Sequence, residues 1–297
     1  MVEALAPVLA RWTQTAEATA VPLTGGSEAT AYAVRGPGGR FVLRHCGLPD
    51  RDPMPVVASL AAAGCAARHG VGAPRPCPTR EGEAFALVAG GRCAGLWTLS
   101  TWVPGRPRRR WHALAPAQAA ALGGALARLH AALRDLPPDM VRPLTGPPAR
   151  HGRPHDQVLH GDPSPGNVLF GGRDATVDVG FVDFDRVDRG PVERDLARAL
   201  VGMPPWATPG TTRLARTVLL GYRATGAAVR PARLWEAIDV ALEEGARWLD
   251  TARLSDAGRR AGARWLDRAR RVRITPDELD AIAAADRAAA RPAGPTG

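Results

Sequence analysis

Residues 159–185 read Leu-His-Gly-Asp-Pro-Ser-Pro-Gly-Asn-Val-Leu-Phe-Gly-Gly-Arg-Asp-Ala-Thr-Val-Asp-Val-Gly-Phe-Val-Asp-Phe-Asp. Apolar β-favouring runs stand on either side of a Gly-Gly-Arg-Asp turn, which is a strand–turn–strand pattern. Its polar residues are unusual in type and spacing: Asn167 lies five positions after Asp162, and Asp183 follows the two-strand excursion. Carboxylate and amide oxygens are hard donors of the kind Mg2+ prefers. A loop carboxylate can also take the proton of an attacking hydroxyl, and together these are the parts of a phosphoryl-transfer centre. The bland alternative is a surface Asx-turn with incidental acids. Three acid or amide residues at this spacing on such a frame argue against it.

Outward from this stretch, the composition is that of an ordinary globular protein. The 297 residues are 45% hydrophobic and 23% charged, enough for one large or two ordinary domains with a substantial core. No apolar run approaches a membrane span, and the N-terminus lacks a basic leader and is broken by Pro7, so the expected location is the cytoplasm, with no membrane partner. The net charge is +10, yet there is no lysine: all 39 basic residues are arginine. With abundant Ala, Gly and Pro, this reads as the codon bias of a GC-rich genome rather than selection for a basic surface. The densest cluster, Arg106, Arg108, Arg109 and Arg110 beside Trp111, reads as a solvated turn or an anionic small-molecule contact, and no nucleic-acid partner is expected. Cys46, Cys65, Cys77 and Cys93 show no zinc-type spacing and read as reduced, partly buried thiols.

Along the chain, residues 3–14 predict a short amphipathic helix. Val21 to Leu43 predicts a hairpin, Ala31–Val34 and Phe41–Arg44 around Gly-Pro-Gly-Gly, preceded by the glycine-rich connection 23–30. An alanine-rich helix is expected over 54–69, ended by Gly70 and Gly72, followed by strands over 84–89 and 96–103 and a break at Pro104-Gly105. Leu122, Leu126, Leu129 and Leu133 recur at helical spacing in a helix over 116–133. A Pro-rich connector, 137–154, leads to the decisive stretch, and beyond residue 195 the pattern is helical, closing with a capped helix that starts at Thr275.

His160-Gly-Asp162 followed by Asn167, with Val182-Asp-Phe-Asp185 beyond, resembles the aminoglycoside phosphotransferase and choline/homoserine kinase superfamily. The likeness is specific over about residues 158–197. It implies an α+β, bilobal, protein-kinase-like fold: a small β-rich N-lobe over residues 1–103, holding the nucleotide, and a larger, mostly helical C-lobe over 104–297, holding the catalytic loop and the acceptor. The resemblance makes Asp162 the catalytic base, and Asn167 and Asp183 the ligands of Mg2+. His160 and Asp195 become structural supports of the catalytic loop, and Asp185 an acceptor-facing or supporting residue. Gly25, Gly26 and Ser27 match a nucleotide loop, and Arg44 stands where a phosphate-binding lysine is usual. Arginine keeps the charge and can clamp phosphate oxygens in a fork.

One departure is plain: residues 53–80 contain no Asp or Glu to partner Arg44, so Asp50, Asp52 and Glu28 are the substitutes on offer. Thr101 and Val103 fall where hinge backbone groups would bind a purine; such contacts carry no side-chain signature, so ATP and GTP both fit as donor. Trp102 reads as core or as a stack on the base, and His130 as a satisfied core histidine.

Only twelve positions separate Asp183 from Asp195, too few for the activation segment of a protein kinase, so the acceptor should be a small-molecule hydroxyl. Residues 230–297 hold 13 Arg against 11 acidic residues, without the acidic surplus a polycationic aminoglycoside would want. A weakly charged antibiotic, as in resistance or self-resistance, is the favoured acceptor. The alternatives are a metabolic sugar, homoserine-like or choline-like alcohol, and a silent nucleotide-binding homologue. Trp206, Trp235, Trp248 and Trp265 are candidates for core or an acceptor pocket. No feature of the residues specifies an oligomeric state.

Overall fold

The alternation of inward and outward residues in the first hundred positions builds an antiparallel sheet, seen in a computed structural model that describes residues 2–23, 30–47, 52–108, 114–137, 156–172, 177–201, 209–251 and 256–271. Helix α1 (Val2–Leu9) precedes β1 (Thr19–Pro22), β2 (Thr30–Gly36) and β3 (Gly39–His45). Helix α2 (Met54–Arg68) and strands β4 (Pro76–Cys77), β5 (Ala86–Val88) and β6 (Gly95–Thr101) follow. The order across the sheet is β1-β2-β3-β6-β4, with β5 also on β6.

The β2–β3 hairpin and α2 form as the sequence predicts, but three details differ. The first helix stops at Leu9 instead of reaching residue 14, because the Thr15 hydroxyl takes the Leu9 carbonyl and the chain turns to bury Trp12. The Trp12 indole N–H then reaches the Cys77 carbonyl at 2.9 Å. A further strand, β1, pairs with β2 before the predicted hairpin. The strand expected over 96–103 ends at Thr101, and that over 84–89 begins at Ala86.

The two faces of the sheet have different fates. Ala20, Val34, Phe41, Leu43, Trp97 and Leu99 point to one side, where α1 closes a small core. The other face carries Val21, Ala33, Val42 and Ser100 in one cross-strand row, and Ala31, Arg44 and Thr98 in the next. Helix α2 packs away from the small core, into the larger one.

Past β7 (Arg106–Pro107) the chain forms α3 (Pro116–Leu133), as predicted, then the pairs β8 (Gln157–Leu159) with β11 (Asp188–Gly190) and β9 (Val168–Gly171) with β10 (Asp178–Phe181). Helices α4 (Glu193–Val201), α5 (Pro209–Arg223), α6 (Pro231–Thr251) and α7 (Asp256–Arg271) complete the described chain. The larger core joins α2, α3 and the β9–β10 hairpin to these helices. Helices α3 and α5 approach so closely at Gly123 that a Cβ there would lie 1.9 Å from the Val218 carbonyl oxygen. The final helix predicted at Thr275, the connector predicted over 137–154 from residue 138 on, and Arg109, Arg110, Trp111 and Trp206 lie outside the described residues. Among the described residues no helix is long and apolar enough to cross a membrane, and all four cysteines are free thiols.

Candidate active site

Strand β8 ends at Leu159, and the next residues form a loop whose backbone is held from below by one carboxylate. Asp195, in the first turn of α4 and fully buried, accepts the His160 N–H through Oδ2 and the Gly161 N–H through Oδ1, both at 2.9 Å. His130 of α3 adds a third bond to Oδ2 at 3.0 Å, and its Nδ1 meets the Tyr222 hydroxyl at 2.8 Å. Burial works against a charge here, but the His130 hydrogen bond and the loop amides outweigh it and hold the Asp195 carboxyl below the usual carboxylate range. His130 is thus a satisfied core histidine that also orients this support.

Gly161 has φ +83°, and a Cβ there would sit 1.8 Å from the Arg186 carbonyl oxygen, so the loop lies directly on the turn after β10. The His160 ring bridges the same two segments: its Nε2 meets the Val182 carbonyl at 3.1 Å, and its Nδ1 accepts the Asp162 N–H at 3.2 Å. These partners assign the neutral tautomer protonated on Nε2. The ring also packs on Phe184, with centroids 4.4 Å apart.

This packing brings the three singled-out polar residues together. The Asn167 amide nitrogen donates to the Asp162 carbonyl at 3.0 Å and to its Oδ2 at 3.2 Å. The Asn167 carbonyl accepts the Val182 N–H at 2.9 Å, tying the asparagine to the residue before Asp183. Asp183 adopts a left-handed conformation, φ +65°, uncommon outside glycine and typical of functional turns. Burial and repulsion from Asp185 push its carboxyl above the usual range, although Arg44 opposes them.

Arg44 crosses from the sheet to this turn. Its Nη1 donates to Asp185 Oδ1 at 2.9 Å, its Nη2 to Asp185 Oδ2 at 2.5 Å and to Asp183 Oδ1 at 3.2 Å. Burial alone would weaken its charge, but the bond to Asp185 more than compensates and raises its pKa. The partner for Arg44 that the sequence left open is therefore Asp185, with Asp183 beside it. Of the substitutes considered, Asp52 accepts the Met54 N–H at the start of α2, and Asp50 and Glu28 lie outside the described residues. What α2 turns to this pair is a residue the sequence did not mark: the Ser59 hydroxyl stands 3.4 Å from Asp185 Oδ1.

Beside Arg44 the sheet face is apolar and open: Val21 is 62% exposed, and Leu23, bonded through its amide to the Ala31 carbonyl, is 39% exposed. At the strand end, the Thr101 and Trp102 amides donate to the Arg75 and Arg40 carbonyls, and the Thr101 hydroxyl accepts the Arg75 N–H at 3.0 Å. Trp102 carries the Arg40 guanidinium over its ring at 4.1 Å. Val103 is buried against Gly180. A cavity of about 200 Å³ at this junction is lined by Val71, Ala73, Arg75 and Trp102–Pro104, without Arg44 or Asp183. Gly25, Gly26 and Ser27 lie outside the described residues.

Asn167 and Asp183 fit a hard cation by donor type. No cluster of three or more His, Cys, Asp or Glu among the described residues is arranged to hold a metal. A pair of protein oxygens would leave the remaining positions to water and phosphate, which is how Mg2+ is commonly held.

Residues 19–154 and 145–235 match the model of the phosphotransferase enzyme family, APH. Over 109 residues the chain is 35% identical to the homoserine kinase of Gluconacetobacter diazotrophicus, covering 36% of this chain and 31% of that protein. The chain thus spans about a third of the curated relative it matches. Two solved structures share the fold: an amicoumacin kinase in complex with AMP-PNP, Ca2+ and Ami (TM-score 0.70, 16% identity, 89% of this chain and 91% of the other), and a microcompartment-associated aminopropanol kinase (TM-score 0.71, 16% identity, 91% and 95%). Their likeness bears out the α+β, kinase-like fold, with its antiparallel N-terminal sheet and helical remainder.

Proposed function

The chain belongs to the phosphotransferase enzyme family, and on that premise we propose that it transfers the γ-phosphoryl group of ATP or GTP to a hydroxyl of a small molecule. The observation that carries this reading is the meeting of Asp162, Asn167, Asp183 and Arg44, drawn from two separate parts of the chain, at one place beside an open apolar sheet face.

In this reading the Asp162 carboxylate orients the acceptor hydroxyl and takes its proton as the new O–P bond forms and the bond to the β-phosphate's bridging oxygen breaks. The nucleoside diphosphate is the leaving group. Asn167 and Asp183 would hold Mg2+, which would neutralise charge on the phosphates. Arg44 binds phosphate oxygens. Val21, Ala33 and Val42 offer the base an apolar surface, with Thr101 and Val103 at its edge, and Gly25, Gly26 and Ser27 would bind the phosphates. His160 and Asp195 keep the catalytic loop rigid, so that little reorganisation is needed when the acceptor arrives. The division into a nucleotide-holding lobe, 1–103, and a catalytic, acceptor-holding lobe, 104–297, belongs to the same reading.

For the acceptor we favour a weakly charged antibiotic, because the C-terminal part lacks an acidic surplus. The match to a homoserine kinase favours a second reading, a metabolic amino alcohol. Purified protein with Mg2+ and ATP or GTP is to be screened by mass shift against hydroxylated antibiotics and amino alcohols. Transfer to one panel names the class, and Asp162→Ala should lower turnover by about 10²–10⁴-fold. Undiminished turnover in Asp162→Ala would refute its role, and nucleotide binding without any transfer would point to a silent homologue.

A further inference from the structure

Arg44 has to reach across from β3 to act on phosphate, and a long flexible side chain does so reliably only if something holds its plane. Helix α2 carries no acid between Met54 and Arg68, so it offers no charge for this purpose. The structure shows a different holder. The two terminal nitrogens of Arg44 fork onto the two oxygens of Asp185, at 2.9 and 2.5 Å, whereas Asp183 receives a single bond at 3.2 Å. The left-handed backbone at Asp183 leads into the tight turn Phe184–Arg186, which carries Asp185 to the same guanidinium. Ser59 backs the fork with its hydroxyl, 3.4 Å from Asp185 Oδ1.

We propose that Asp185 is the positioning residue for Arg44: it fixes the guanidinium for the nucleotide phosphates, with Ser59 as its support, and leaves Asp183 able to turn to a cation. The inference rests on the phosphotransferase reading. A bidentate carboxylate fork is the arrangement that sets both the distance and the plane of a guanidinium, which one bond to Asp183 does not. The division of labour also follows from charge. Two carboxylates this near one another repel, and a cation kept on Asp185 lowers the cost of gathering more negative charge beside it.

Calorimetric titration with Mg·ATP and Mg·GTP tests this without knowledge of the acceptor, with thermal melts run beside it. Asp185→Asn should weaken binding of the preferred nucleotide roughly tenfold. The double variant Arg44→Met/Asp185→Asn should bind no worse than Arg44→Met alone, because Asp185 acts through Arg44. Ser59→Glu introduced into Asp185→Asn should recover most of the loss by returning a carboxylate to the guanidinium from α2, which a merely structural role for Asp185 would not allow. Additive losses in the cycle, or a well-folded Ser59→Glu/Asp185→Asn protein with no recovery, would overturn the proposal. Should that variant not fold, the Arg44 cycle decides by itself. Wild-type protein that binds neither nucleotide would refute the phosphotransferase reading. Wild-type protein that binds, with Asp185→Asn binding equally well, would refute this inference alone.

Discussion

Replacing Asp195 by Asn changes one atom in the fully buried support of the catalytic loop, and its cost can be worked from the bonds it makes. The carboxylate accepts three: His160 N–H and His130 on Oδ2, Gly161 N–H on Oδ1. An asparagine can present its oxygen to only one of those two sides. With the oxygen toward His160, the new NH2 faces the Gly161 N–H, donor against donor. With the oxygen toward Gly161, the His160 N–H is stranded and His130 must change tautomer. Either way a charge-assisted bond of about 1.5–3 kcal/mol is lost, and a buried donor is left unsatisfied at about 1–3 kcal/mol. The expected loss is roughly 3–5 kcal/mol, read as a lower urea midpoint at unchanged slope and, for a chain of 297 residues, a Tm lower by about 5–8 °C.

The pH dependence of that loss is also set. The folded-state pKa of Asp195 lies below its unfolded value, so its stabilisation is fully present above the ordinary carboxylate range and fades as pH falls through the depressed folded value. The stability gap between wild type and Asp195→Asn should be widest near neutrality and should shrink below the usual carboxylate pKa. A gap under about 1 kcal/mol at pH 7, or one that grows on acidification, would refute the account.

Adjacent glycines in α3 give opposite expectations: Gly123→Ala forces α3 and α5 apart and should cost at least about 3 kcal/mol, as overpacking against rigid backbone does. In Gly124→Ala the nearest atom to the new Cβ is a flexible arginine nitrogen at 3.5 Å, so that variant should gain about 0.5–1 kcal/mol of helix stability; denaturant midpoints test both. Gly161→Ala should remove transfer activity and most nucleotide-dependent thermal stabilisation, since the added carbon strikes the Arg186 carbonyl. Glu193, fully buried and bonded to the Arg230 backbone N–H and guanidinium, should cost about 2–4 kcal/mol when changed to Gln, seen as a lower melting midpoint. Chelation by EDTA should abolish transfer in wild type while leaving the melting curve of the nucleotide-free protein unchanged.

The parts of the site that were legible are those that lie close together in the chain. His160, Asp162, Asn167 and Asp183 are joined by one hairpin, so spacing and turn chemistry suffice to bring them together. Helix α3 was equally readable, because Pro116 and leucines at helical spacing mark its start and its buried face. Strand β1 was not, since four residues with one inward side chain carry little pattern of their own. The end of α1 was hidden for a similar reason: the Thr15 hydroxyl and the burial of Trp12 against β4, rather than helix propensity, stop it.

From the sequence alone came the kind of chemistry: hard oxygen donors and a loop carboxylate are properties of residue type and local spacing, and the resemblance to a kinase family set Arg44 where a lysine is usual. What only the tertiary structure decided is which charges face one another. Asp185 lies 141 positions from Arg44 and Ser59 lies 126 from Asp185, and no local pattern links them. Their meeting depends on packing α2 and β3 against the turn after β10. Local spacing specifies hairpins and helices because the chain itself holds neighbours together; an ion pair between β3 and the turn after β10 exists only once two separately formed elements have docked.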